Sequence, residues 1–134
     1  MTLYNIFSEL ILEAVGKPRI AKAIDSHQVI TIYYKGDETV NAGFRDIEVY
    51  TLGISKAGNP VIRAWQRRGV TDTEIPGWKI FRTDKITSWI PKEGKFFSKP
   101  ISSRKKGVPK FNPKGDKTMA KVDKIATFGK KTKK

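Results

Sequence analysis

Five short segments between residues 28 and 91 alternate between apolar and polar residues, and this period of two constrains the fold more than any other feature. The segments read QVITIYYK, FRDIEVYTLG, PVIRAWQ, WKIFRT and DKITSWIP, and turn formers such as GDE and SKAGNP separate some of them. Successive side chains of a strand point to opposite faces, and Gly, Asn, Asp and Pro favour turns. The pattern predicts five antiparallel strands. A closed barrel is favoured because closure removes the exposed edges of a short sheet.

The residues before these strands predict one or two helices. In LYNIFSELILEAV the apolar residues recur at helical spacing, and Gly16 and Pro18 then end the helix. PRIAKAIDSH has the pattern of a second, short amphipathic helix. The first stripe is typical of core packing, with a dimerising or partner-binding helix as the alternative, so a homo-oligomer is permitted. The first residues lack a basic segment before the apolar ones and contain two glutamates, which disfavours a signal peptide.

Positive charge is concentrated in the last third of the chain. The net charge is +14, of which residues 1–90 contribute +2 and residues 91–134 contribute +12. A cationic extension attracts polyanions, most often nucleic acid, while a solvated extension that aids solubility is the alternative. The segment FNPKGDKTMAKVDKIATFG has an apolar side, so we expect it to dock or fold. Residues predicted to contact phosphates are Arg104, Lys105, Lys106, Lys110, Lys130 and Lys131.

Length and composition set the domain organisation. A chain of 134 residues forms one small domain. We predict an α+β fold that is mostly β, with a helical segment in residues 1–24, a five-stranded antiparallel barrel in residues 25–91 and a basic, partly flexible extension in residues 92–134. The absence of cysteine excludes disulfides and thiolate metal sites. No apolar run has the length needed to span a bilayer, so no membrane contact and a cytoplasmic location are expected, in a bacterium or in the host of a phage.

Few residues of the chain suit catalysis. His27 is the only histidine, and a capping or surface role is the expected one. Asp46 and Glu48 share a strand face, which would suit acid–base chemistry, but exposed alternation produces the same pattern. Phosphate-binding loops, dinucleotide fingerprints and nucleophile elbows are absent from the sequence. A protein without enzymatic activity, cofactor or metal is therefore expected.

Arginines interleaved with aromatic residues favour binding instead. An arginine fork suits phosphates or base edges, and an aromatic ring offers a stacking face, a combination found in proteins that bind single strands. Core packing is the alternative for most rings, and we expect Trp78, Ile80, Ile47 and Val49 to be core residues. Arg63 and Arg82 share strand faces with apolar residues. Each therefore requires a partner, such as Glu48 for Arg63, or an anionic ligand.

The order of these motifs resembles the WYL domain in its short, single-domain form from phages and bacteria. FRTDKI matches the Phe-Arg-x-Asp-Arg/Lys-Ile pattern, and RDIEVYTLG matches Arg-x-x-x-Pro-Tyr-x-Leu with Val49 in place of proline. The sequence departs from the family at the Trp-Tyr-Leu tripeptide that names it, where Pro60, Val61 and Ile62 stand instead. The resemblance implies an Sm-like small β-barrel that binds nucleic acid or a nucleotide-like ligand, usually as the sensor of a transcription regulator. Positions that match its ligand-facing residues are Tyr33, Arg45, Tyr50, Arg63 and Arg82.

Three hypotheses follow from the sequence. The first is a phage or bacterial nucleic-acid-binding protein that holds single-stranded DNA or RNA through the five matched residues together with Arg67 and Arg68, while the extension contacts phosphates. The second is an interaction module for an acidic protein, such as a polymerase or a defence factor. The third is a sensor of a small nucleotide.

Overall fold

The computed structural model describes residues 15–38, 40–68 and 77–128. The first predicted helix therefore lies outside the described residues. The elements, in chain order, are α1 (Lys17–Ser26), β1 (Gln28–Tyr34), β2 (Gly43–Ser55), β3 (Pro60–Arg68), β4 (Gly77–Arg82), a 3-10 turn (Thr83–Lys85), β5 (Ile86–Phe96), α2 (Ile101–Arg104) and β6 (Met119–Ile125).

Helix α1 is the second of the two predicted helices, and local signals explain its limits. Pro18 in the first turn removes one of the backbone N–H groups that would have no partner within the helix. His27 ends the helix in the left-handed conformation with φ 58°, and its backbone N–H donates to Ala23. The expected capping role of His27 is confirmed. In the described ranges no helix has both the length and the apolar character needed to cross a membrane.

The sheet is antiparallel with strand order β4-β3-β2-β1-β5, and β6 adds to it beside β2. The five predicted strands are confirmed. Strand β2 pairs with β3 along one edge. On its other edge it pairs with β1 through residues 43–47 and with β6 through residues 51–55. This thirteen-residue strand is therefore the centre of the fold.

The predicted closed barrel is wrong. The hydrogen-bonded path of the sheet ends at β4 on one side and β5 on the other, and these strands share no ladder within the described residues. The three-residue turn Thr83–Lys85 carries the chain directly from one strand to the other. The connection between the two edges is covalent, and the sheet stays open.

The strand register defines an inner face, which carries the main core. On it Ile30 of β1 lies opposite Ile47 of β2, and Ile62 of β3 lies opposite Phe81 of β4. All four are at most 1 % exposed. Ile47 and Val49 are core residues as predicted. The prediction that Trp78 and Ile80 are core residues is wrong, because the register places Phe81 on the inner face of β4 and these two on the opposite face.

The other side of the sheet, here called the outer face, is partly covered by residues 97–128. On β4 it carries Trp78 and Ile80, which are only partly buried. Tyr50 of β2 contacts the rings of Phe97, Phe111 and Phe128 at centroid distances of 5.5, 4.9 and 5.9 Å. The chain predicted as a basic extension thus supplies a second apolar layer, and β5 runs across the predicted boundary at residue 91.

Candidate nucleic-acid interface

The residues predicted to bind a ligand lie in several different environments. Arg45 is on the inner face and only 2 % exposed. Its guanidinium carbon lies 5.7 Å from the ring centre of Phe81 and 6.0 Å from that of Tyr34. A cation over aromatic faces in a dry core is stabilised by the ring quadrupoles. This position gives Arg45 a role in packing and keeps it away from the surface.

Arg63 and Arg82 each have a carboxylate partner on the outer side of the sheet. Arg63 Nε donates to Asp116 Oδ2 at 2.8 Å, and not to Glu48 as expected. Arg82 donates to both oxygens of Asp84, at 3.1 and 2.7 Å. Each guanidinium group therefore has a carboxylate partner within the protein.

Tyr50 and Glu48 form a buried polar centre under residues 97–128, which are called the covering segment below. Both residues are 0 % exposed, because residues 97–128 cover the outer face where sequence alternation predicted solvent. The Tyr50 hydroxyl donates to Glu48 Oε1 at 2.7 Å and accepts from the backbone N–H of Ile101 at 2.9 Å. Burial and the neighbouring Glu48 carboxylate raise the pKa of Tyr50 above its ordinary value. Neither group is free for acid–base chemistry.

Two arginines on the outer side balance the charge of Glu48. Arg104 of α2 donates to Glu48 Oε1, and Arg67 Nε lies 3.6 Å from Glu48 Oε2. The side chains of Arg104 and Arg67 are 30 % and 41 % exposed. The buried carboxylate of Glu48 therefore holds the guanidinium groups of two arginines that are themselves partly exposed.

A basic cleft lies beside these cations. It has a volume of about 350 Å³ and is lined by Arg67, Arg68, Lys92, Lys95, Asp46 and Val29. Asp46 accepts hydrogen bonds from Thr31 and Lys92, at 2.6 and 3.1 Å. Burial favours a higher pKa for Asp46, but these hydrogen bonds lower it below the ordinary value. Asp46 therefore stays ionised and positions Lys92.

We define the cationic surface as the six basic residues around this cleft and above Glu48. Lys105 belongs to it, with Nζ 5.9 Å from the ring centre of Trp65. The carboxylates of Asp46 and Glu48 are its neighbours, so an excess of positive charge remains. The six residues are Arg67, Arg68, Lys92, Lys95, Arg104 and Lys105.

An aromatic pair lies on the same face, with one ring exposed and the other partly buried. Tyr33 meets Phe44 edge to face at a centroid distance of 4.9 Å, and Phe44 is 57 % exposed. Phe44 precedes Asp46 by two residues on β2, and Asp46 lies opposite Arg68 of β3. Side chains two apart on a strand share a face, so the aromatic pair adjoins the cationic surface.

Two of the remaining predicted cations lie in the segment of residues 97–128. Lys106 is exposed, and Lys110 lines a different cleft, while Lys130 and Lys131 lie outside the described residues. Phe44, Lys92 and Lys95 were not predicted as site residues. The available signal for Phe44 was a large aromatic residue on the strand face that also carries Asp46 and Glu48.

No feature of the described chain suggests a metal site. The part of the chain that the structure describes holds no group of three or more His, Cys, Asp or Glu side chains placed to bind a metal. His27 stacks on Phe128 at a centroid distance of 4.4 Å. Its ring belongs to the apolar layer over the outer face.

Comparison with protein-family models, with curated proteins and with solved structures found no match to this chain.

Proposed function

We propose that this protein binds single-stranded nucleic acid on its outer face, without catalysing a reaction. The observation that carries the proposal is the exposed ring of Phe44, packed edge to face on the partly buried Tyr33, beside the cationic surface. Proteins that bind single strands combine cations that follow the backbone with rings on which bases stack. The cationic surface would bind phosphates, and the aromatic pair would bind one or two bases.

A single strand fits this face better than a duplex does. Aromatic stacking needs an unpaired base, whereas a duplex presents mainly phosphates and groove edges to a flat sheet. The cations are side chains of long reach around an open cleft, which suits backbone contacts with little sequence preference. The resemblance to the WYL domain supports the same class of ligand. DNA and RNA are both compatible with these contacts.

The proposal keeps some of the predicted binding residues and adds Phe44, Lys92 and Lys95. Tyr33, Arg67 and Arg68 keep a place on the binding face. Arg45, Tyr50, Arg63 and Arg82 serve the core and the ion pairs that hold the covering segment and the turn after β4. Residues 129–134 contain four lysines and add sequence-independent attraction to phosphates.

Binding of short fluorescent oligonucleotides, followed by anisotropy at several salt concentrations, tests the proposal. Phe44→Ala should weaken single-strand binding by about fivefold to a hundredfold, since stacking contributes ~1–3 kcal/mol per base. Arg68→Gln with Lys95→Gln should lower the slope of log K against log salt by about 1.4, at ~0.7 per phosphate contact. The slope for wild type should exceed that for the double variant with both DNA and RNA.

Lys22→Gln is the matched control, because Lys22 is an exposed cation on α1 and adjoins the inner-face residues Ile30 and Trp89. Its affinity and slope should equal those of wild type. Melting temperatures of all variants should agree within a few degrees. Unchanged affinity in both Phe44→Ala and the double variant would remove the outer face from binding.

A second candidate function is suggested by two exposed apolar residues near the cations. Ile90 and Phe96 of β5 are 52 % and 57 % exposed. Apolar side chains beside a basic surface also suit an acidic protein partner. Co-purification before and after nuclease treatment separates the two functions, since a protein partner persists after nuclease and a bridging nucleic acid does not.

A further inference from the structure

A second cleft lies between the outer face and the loop that precedes β6. Its volume is about 270 Å³, and one wall comes from β2, β3 and β4 while the other comes from residues 110–118. Ligand pockets for drug-sized molecules span roughly 300–1,000 Å³, so this cleft suits a smaller ligand. It shares no lining residue with the basic cleft.

Two aromatic residues line the second cleft and are held in place. Trp78 Nε1–H donates to the backbone oxygen of Pro109 at 2.8 Å. Trp78 and Phe111 each lie 4.9 Å from the ring centre of Tyr50. Because Tyr50 is fully buried and hydrogen-bonded, it fixes both rings from below. A planar ligand would therefore meet aromatic side chains that need little ordering on binding.

The charged residues of this cleft favour an anion. Asp116 is occupied, since it accepts hydrogen bonds from Arg63 Nε, the Thr118 hydroxyl and the Thr118 backbone N–H. Burial opposes ionisation of Asp116, but these donors hold its pKa below the ordinary value. Lys110 and Lys117 are exposed and form no ion pair with any residue in the described ranges. Their ammonium groups are available to a ligand.

We propose that this cleft binds a single nucleotide, either free or at the end of a strand. The base would lie against Trp78 and Phe111, and the phosphate would be bound by Lys110 and Lys117. An aromatic anion of this size matches the aromatic lining, the net positive charge and the volume together. The site uses residues outside the cationic surface, so it goes beyond the proposed function and can hold when that function fails.

The indole N–H signal of Trp78 in a ¹H–¹⁵N correlation spectrum reports on this cleft directly. AMP, adenosine and inorganic phosphate are titrated separately into the full chain. AMP should shift the signal saturably, and adenosine and phosphate should each bind about tenfold more weakly, since each lacks one set of contacts. No AMP-dependent shift, or a response to phosphate alone as strong as that to AMP, would overturn the proposal.

Variants of the two lysines supply the matched test. Lys110→Gln combined with Lys117→Gln should weaken AMP binding about tenfold. Lys22→Gln on α1 should leave it unchanged. Equal AMP affinity in the double variant and in wild type would count against the phosphate position. The substituted residues are exposed and unpaired in the described ranges, so all three proteins should melt alike.

Competition with oligonucleotides separates the two sources of the ligand. A linear strand with a 5′ phosphate should displace AMP while a circular strand of the same sequence does not, if the end of a strand is the ligand. Displacement by neither strand assigns a free nucleotide. Equal displacement by both would overturn the proposal in favour of internal nucleotides. Loss of strand binding in the variants of the cationic surface, with AMP binding intact, would overturn the proposed function alone.

Discussion

Arg63 Nε and Asp116 Oδ2 lie 2.8 Å apart although 53 residues separate them in the sequence. The pair joins strand β3, the neighbour of the central strand β2, to the loop before β6. A second guanidinium nitrogen of Arg63 donates to the Thr118 hydroxyl at 3.2 Å. One side chain of the sheet therefore orders the segment that covers it.

Asp116→Asn should make stability less dependent on pH. The pKa of Asp116 is lowered in the folded protein, so its contribution is complete above the unfolded pKa, about 3.9, and is lost as pH falls through the folded value. The urea midpoint of the variant should lie below that of wild type at neutral pH. The two midpoints should converge as pH falls below the folded pKa of Asp116.

Asp25→Asn provides the comparison for this experiment. Asp25 is also part of an ion pair, since its carboxylate lies 2.9 Å from Lys124 Nζ. Its side chain, however, is 62 % exposed. Exposed ion pairs contribute little to stability. A difference between Asp116→Asn and wild type that stays constant with pH would show that the carboxylate charge is not what matters.

Glu48→Gln should destabilise the fold by about 3 kcal/mol, because it leaves two arginines facing an amide in place of a buried carboxylate. Glu48 is 0 % exposed, with Arg104 and Arg67 above it and the Tyr50 hydroxyl beside it. Urea unfolding measures the change. Glu38→Gln, at an exposed position, should unfold as wild type does. Equal midpoints for the two variants would contradict the role assigned to Glu48.

Gly53→Ala should separate β6 from β2. A Cβ at Gly53 would overlap the backbone oxygen of Lys121 and lie 2.7 Å from Met119 Sδ, closer than real Cβ atoms approach a neighbour. Amide exchange in residues 119–125 should accelerate strongly. Gly77→Ala is the matched control, since its added Cβ meets no atom within 4 Å. Slow exchange of the β6 amides in Gly53→Ala would mean that the close approach is relieved at low cost.

Two truncations should behave differently. Removing residues 129–134 deletes four lysines and should reduce the salt dependence of strand binding while preserving the melting temperature. Removing residues 97–134 deletes Phe97, Ile101, Phe111 and Phe128, which pack around Tyr50 or hydrogen-bond to it. The protein without residues 97–134 should therefore expose aromatic surface that binds a hydrophobic dye. Its melting temperature should lie below that of wild type. Equal stability of the two truncated proteins would show that the covering layer adds nothing.

Local pattern was enough to predict the five strands and α1. Alternation along QVITIYYK or FRDIEVYTLG is a property of neighbouring residues, and turn residues mark the ends. The sixth strand escaped prediction because Met119, Val122 and Ile125 recur at intervals of three, and only pairing with β2 makes them a strand. The expected docking of this segment is confirmed.

The candidate site was less predictable because its residues meet through tertiary contacts. Arg67 and Arg68 were predicted from adjacent aromatic residues, but Lys92 and Lys95 reach the same cleft only because β5 passes along β1. Burial of Glu48 depends on residues 97–128, and alternation within β2 contains no information about them. For the same reason the sequence indicates a carboxylate such as Glu48 or an anionic ligand as the partner of Arg63, whereas the structure shows Asp116.

The division of one β2 edge between β1 and β6 also shapes how the protein emerges from the ribosome. Five strands have been made once residue 96 is synthesised, yet the outer side of Tyr50 stays uncovered until residues 97–128 follow. At ~5–20 residues per second that interval lasts roughly two to six seconds. During it the nascent chain presents an aromatic surface and an unpaired stretch of strand edge, which are the features that chaperones recognise and that promote aggregation.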